Sequence, residues 1–171
     1  MTIVYFKNII RFVFLVLFQV LILNGIQLSG FINPYFYIYF ILLLPFDIPR
    51  GLLLILSFLL GITIDIFANT PGLNAAACVV LGFARPFVIT SISTGTEFMI
   101  GNHPSLKNQG MKWFLYYTII LVLLHHITLF YLDVLRFSEF FLTLFRVILS
   151  SLFTLLLIFI SEYLFYSRGP R

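Results

Sequence analysis

Five ionisable side chains stand inside apolar stretches of this chain: Asp65, Arg85, His125, His126 and Arg146. An ionised group facing lipid costs about 3 kcal/mol or more, so such groups usually pair or line a cavity. Asp and His are the residue types of proton relays and metal sites. The spacing disfavours a metal, because His125 and His126 are adjacent rather than four residues apart on one helix face. No Gly-rich phosphate loop, nucleophile elbow or paired carboxylate set accompanies them. A structural ion pair is the favoured reading, ahead of a cavity for a small molecule or ion. Catalysis comes last, and neither an enzyme nor a bound cofactor is expected.

Composition dictates the solvent around these groups. Of 171 residues, 61% are hydrophobic and 9% charged, against about 45–50% and 25% in soluble domains. One core of this size has no room for so much Phe, Leu and Ile, so the chain is read as a single integral membrane domain. The net charge of +4 is spread thinly and does not point to nucleic acid. Cys78 is the only cysteine, which excludes a disulfide framework and a thiolate metal cluster. The start, "MTIVYFKNIIRFVFLVLFQVLILNG", is basic and then apolar like a signal peptide. It has no small-x-small cleavage site, so a retained first helix is expected.

A membrane-crossing helix needs about 20 apolar residues. Spans are predicted near 9–29, 30–46, 51–69, 72–92, 113–133 and 139–165, making six. The second, containing "PYFYIYFILLLPF", is short. The charges support counting it. With six spans, Lys7, Arg11, Arg50, Lys107, Lys112, Arg168 and Arg171 share one side, and only Arg136 lies on the other. Basic residues collect on the cytoplasmic side, so both ends of the chain are expected there. Trp113, Tyr116, Tyr117, Tyr163 and Tyr166 fall at the same interface, as belt aromatics do. The polar segment 93–112, broken by Gly95, Gly101, Pro104 and Gly110, reads as a plain connection.

Small and polar residues form stripes on three spans. They are Ser57, Gly61 and Asp65; Asn74, Cys78, Gly82 and Arg85; and Thr143, Arg146, Ser150, Thr154 and Ser161. Small residues let helices approach and hydroxyls bond across the contact, so these faces should form the bundle interior. At about 1.5 Å per residue, Asp65, Arg146, His125 and His126 share the outer half of the bilayer. A layer of Asp65, Arg146 and one histidine follows, since adjacent helical residues point about 100° apart. Arg85 lies roughly 10 Å deeper, and is expected to reach back toward the cytoplasmic interface instead of pairing with Asp65.

Between the third and fourth spans, "ANTPGLN" is a tight turn. Pro71 and Gly72 separate the helices, with Asn69 or Thr70 available to cap the new N-terminus. The combination Gly61, Asp65, Pro71, Gly72 and Asn74 resembles the rod shape-determining protein MreD family, as do the chain length and the number of spans. The resemblance implies a six-helix bundle similar to the substrate-binding subunits of energy-coupling-factor transporters. It further implies a non-catalytic role in the bacterial cytoplasmic (inner) membrane, within the cell-wall elongation machinery. The implied partners are membrane lipids, a single-span MreC-like protein, the MreB filament and peptidoglycan synthases. The alternative is a vitamin-like ligand-binding subunit of such a transporter. For the hairpin residues the resemblance implies no defined role.

Overall fold

The computed structural model describes residues 2–25, 33–93, 103–134 and 140–167, and all regular structure there is helical. Five long helices carry the architecture: α1 (Thr2–Leu21), α3 (Arg50–Ala68), α4 (Leu73–Ile92), α6 (Met111–Val134) and α7 (Phe140–Ser167). Each is long and apolar enough to cross a membrane, the first span running on from α1 through the 3-10 turn Leu23–Gly25. Arg136, Arg168, Arg171, Gly95 and Gly101, the edges of the first two predicted spans within 26–32, and the side chain of Tyr166 lie outside the described residues.

The second predicted span is the main difference. Residues Phe36–Ile38 form one 3-10 turn that runs into a four-residue helix, α2 (Tyr39–Leu42). Together they rise about 12 Å, well short of the roughly 30 Å of hydrocarbon. Every residue from Phe36 to Leu44 is buried. Irregular backbone is tolerated at membrane depth only where protein covers it. The short piece is therefore a core element of the bundle. It runs antiparallel to α1, with Phe36 beside Gln19 and Leu43 beside Arg11.

α1 and α3 run parallel with the short piece returning between them, and α3, α4, α6 and α7 then alternate in direction. α6 is the central one, burying Phe114, Tyr117, Thr118, Leu121, Val122, His125 and His126 among others. That set follows a spacing of three and four along the helix. It packs on α4 and α7, while α3 packs on α4 and on α1. The outer faces stay apolar and open, as with Phe6, Ile9 and Val13 on α1 and Phe141 and Phe145 on α7. These are faces suited to hydrocarbon.

α3 and α4 meet most closely at glycines. A Cβ on Gly61 would lie 2.4 Å from Cα of Ala75 and 2.6 Å from the Asn74 carbonyl oxygen. One on Gly82 would lie 2.3 Å from Oγ of Ser57. The small-residue stripes of the two helices thus face each other across the contact. Gly61→Ala strikes backbone, which has no rotamer to yield, and is expected to cost about 2 kcal/mol or more. Gly51→Ala, with nothing within 4 Å, is the neutral control in thermal unfolding of the detergent-solubilised protein.

Candidate functional site

Asp65 sits on the last turn of α3 and is 3% exposed. Its Oδ1 accepts from the Thr70 hydroxyl, from the Asn74 backbone N–H at 3.0 Å and from Asn74 Nδ2 at 2.9 Å. Its Oδ2 accepts from the Ala75 N–H at 2.9 Å. A helix start leaves its first N–H groups without internal partners, and a carboxylate there also meets the positive end of the helix dipole. Asp65 supplies this cap to α4 from the preceding helix. Its own carbonyl closes α3, accepting from the N–H of Asn69 and of Thr70.

The turn differs from expectation in the same detail. Asn69 ends α3 in the left-handed region at φ 53° and Gly72 stands at the α4 N-cap with φ 81°. Gly72 has no side chain with which to cap. Gly61 completes the device, because only a residue without Cβ lets Asn74 and Ala75 come close enough for the carboxylate to reach.

From Asn74 the polar network runs inward. Tyr37 donates to Asn74 Oδ1 at 2.8 Å, and its Oη lies 3.0 Å from Nε2 of His125. With the tyrosine proton spent on Asn74, Nε2–H of His125 is the donor. Nδ1 of His125 is then a buried acceptor, and it has no hydrogen-bond partner among the described residues. His126 is equally buried, with Nδ1 2.8 Å from the Val122 carbonyl and Nε2 3.2 Å from Thr154 Oγ1. Both histidines face protein, their rings 5.4 Å apart and each packed on Tyr35.

Asp65 and His125 are brought into one network through Asn74 and Tyr37. The expected pairing of Asp65 with Arg146 is replaced by the hairpin donors, which occupy both carboxylate oxygens. Arg146 is half-buried on α7 and is not among the groups bonded to Asp65.

Arg85 departs furthest from expectation. It is 1% exposed and enclosed by protein. Its Nε donates to Tyr117 Oη at 2.8 Å, and its terminal nitrogens donate to the carbonyls of Leu44 and, at 3.4 Å, Pro45. Tyr117 in turn donates to the Leu42 carbonyl at 2.9 Å. His103 Nδ1 lies 3.0 Å from the Leu43 carbonyl, which Arg11 also approaches at 3.5 Å. Four successive carbonyls at the end of α2 therefore each meet a side chain. A carbonyl only accepts, so His103 donates from Nδ1. Burial, and then nearby Arg11, hold the His103 pKa below its usual value.

The other end of this short piece is held by Gln19, which the sequence did not single out. Its Nε2 donates to the Pro34 carbonyl at 2.9 Å and its Oε1 accepts from the N–H groups of Phe36 and Tyr37. Ser150 Oγ and Thr154 Oγ1 on α7 accept from the N–H of Asn33 and of Tyr35. Gln19→Leu strands these backbone groups in the core. It is expected to cost about 2–4 kcal/mol, read as a lowered thermal midpoint.

Glu162 on α7 was also missed. It is buried, and it accepts from the Tyr39 hydroxyl and, at 3.0 Å, from the Leu106 N–H. Residues 103–109, including the single turn α5 (Leu106–Gln109), thereby dock on the bundle. This part of segment 93–112 is more than a connection.

Among the described residues no group of three His, Cys, Asp or Glu could hold a metal. Cys78 is buried. Comparison with protein-family models, curated proteins and solved structures returns no match.

Proposed function

We propose that this chain is a non-catalytic membrane scaffold of the bacterial cell-wall elongation machinery, MreD-like in kind. It would hold the transmembrane helix of a single-span MreC-like protein and, through it, the MreB filament and peptidoglycan synthases. The observation that carries this reading is the α3–α4 hairpin. There Gly61, Asp65 and Asn74 lock two helices together, and Asn74 also accepts from Tyr37 of the short piece. A side chain whose every acceptor is committed to backbone and neighbouring donors acts on architecture. The broad apolar outer faces of α1, α3 and α7 are the kind of surface on which a partner helix packs.

The basic residues Lys7, Arg11, Arg50, Lys107 and Lys112 belong to one end of the bundle, and the Asp65 hairpin belongs to the other. By the positive-inside rule the basic end is cytoplasmic, so the hairpin faces the opposite compartment. Co-purification in mild detergent tests the reading. A single-span MreC-like protein is expected to be retained, and repeated recovery without it would overturn the scaffold.

A second reading, a vitamin-like ligand-binding subunit of an energy-coupling-factor type transporter, draws on one observation. Nδ1 of His125 is a buried acceptor awaiting a donor at the hairpin half of the bundle. It requires a ligand carried through purification, visible as an added mass in native mass spectrometry and as a raised thermal midpoint.

A further inference from the structure

A cleft of about 540 Å³ opens at the basic end of the bundle, between α1 and α7. Its floor is the short helical piece, through Phe36 and Tyr39. It exists because a piece that rises only about 12 Å cannot fill the slot a full-length helix would occupy between α1 and α7. Lys7, Ile10, Arg11 and Phe14 of α1 run along one wall, a length of about 10 Å.

Polarity changes along this cleft. Lys7, Arg11 and Lys107 belong to its lining, with His103 near Arg11. Phe14 and Leu15 line it about one turn beyond Arg11, and Phe14 and Ile10 are more than half exposed. The one carboxylate in the lining, Glu162, already accepts from Tyr39 and from the Leu106 N–H. Three cations against one carboxylate leave an excess of two positive charges. Lys7 and Lys107 are exposed, so neither is held away from an incoming anion.

We propose that this cleft is a binding site for an anionic phospholipid. The phosphate would lie between Lys7, Arg11 and Lys107, and an acyl chain would lie along Ile10 and Phe14 over the short helical piece. The two features are complementary to the two halves of such a molecule: cations at headgroup depth and an apolar trough opening sideways below them. Basic pockets between transmembrane helices are a recurring way to hold lipid phosphates. A soluble phosphate would use the cations and leave the trough empty, whereas a neutral lipid would use the trough and leave the charge uncompensated. The site stands independently of the scaffold reading, since it needs no partner protein.

The test uses the delipidated full chain in mild detergent. It is offered equal amounts of phosphatidylglycerol and phosphatidylcholine with identical acyl chains, and bound lipid is counted by native mass spectrometry. Phosphatidylglycerol is expected to be retained at least tenfold better. Lys7→Gln with Lys107→Gln changes two exposed side chains and should leave the thermal midpoint unaltered. At about fivefold for each cation removed, it should weaken phosphatidylglycerol retention roughly 25-fold. Arg50→Gln with Lys112→Gln removes two cations of the same end outside the cleft and should change retention less than twofold. Equal retention of the two lipids would overturn the proposal, as would equal losses in the two double variants. Displacement of the bound lipid by millimolar inorganic phosphate would also overturn it, by assigning the cleft to a soluble anion.

Discussion

Arg85→Leu is expected to cost about 3–5 kcal/mol of stability. The leucine keeps the packing volume roughly but removes every donor that reaches the Leu44 and Pro45 carbonyls. It also leaves the Tyr117 oxygen without the Nε contact at 2.8 Å. Each buried acceptor left unmatched costs about 1–3 kcal/mol, and no water from bulk reaches a site that is 1% exposed. Arg85→Lys should fall between wild type and leucine. It keeps the positive charge, but one ammonium cannot replace a planar fork that serves a tyrosine and two carbonyls at once. Thermal unfolding of the three proteins in one detergent should give the order Arg, Lys, Leu. A leucine variant as stable as wild type would mean that the end of α2 is held by something else.

Asp65→Asn carries the second large effect, about 2–3 kcal/mol. An amide retains one acceptor for Thr70 and Asn74 but sets an NH2 group against the Ala75 N–H, so two donors face each other. The charge that complements the start of α4 is lost as well. Asp65→Ala strands all four donors and should cost about 4 kcal/mol. Because Gly61 and Asp65 serve the same contact, Gly61→Ala and Asp65→Asn should combine less than additively. Additive losses would show that the glycine and the carboxylate act separately.

The comparison between sequence and structure turns on where hydrogen-bond partners reside. Hydropathy alone located α1, α3, α4, α6 and α7, because apolar runs of this length have few other fates. Periodicity located the stripes of Gly61 and Gly82 that bring α3 and α4 together. Partner assignment failed where the partner is backbone. Arg85 lies too deep to meet Asp65 and its length suggests the interface or a carbonyl freed near Pro86, yet its acceptors are the carbonyls of Leu44 and Pro45 on another element. Asp65 was matched with Arg146 on depth and charge, while N–H groups nine and ten residues on took both oxygens.

Gln19 and Glu162 went unnoticed for the same reason, since each holds backbone of an element whose irregularity was not foreseen. The stretch "PYFYIYFILLLPF" counts as a span by composition, and composition does not distinguish a helix in lipid from a buried piece surrounded by protein. A signal was present in the aromatic excess: Tyr35, Tyr37 and Tyr39 alternate within five residues. Three hydroxyls in so short a run ask for polar partners that lipid does not offer. His125 and His126 were reduced to one inward residue by a rule for a helix with a single buried face. α6 is covered on more than one side, so both are enclosed.

The proposed scaffold role holds that the buried polar residues keep the bundle in shape. It is tested most directly by measuring, for Asp65→Asn, the thermal midpoint in detergent together with complementation, at low and high growth temperature, of the cell-shape defect that the proposed role predicts for loss of the chain. The account predicts a lowered midpoint, with complementation lost at high temperature and regained when the cells are grown cool. A variant with the wild-type midpoint that fails to complement at every temperature would contradict it, and would assign Asp65 a direct functional role.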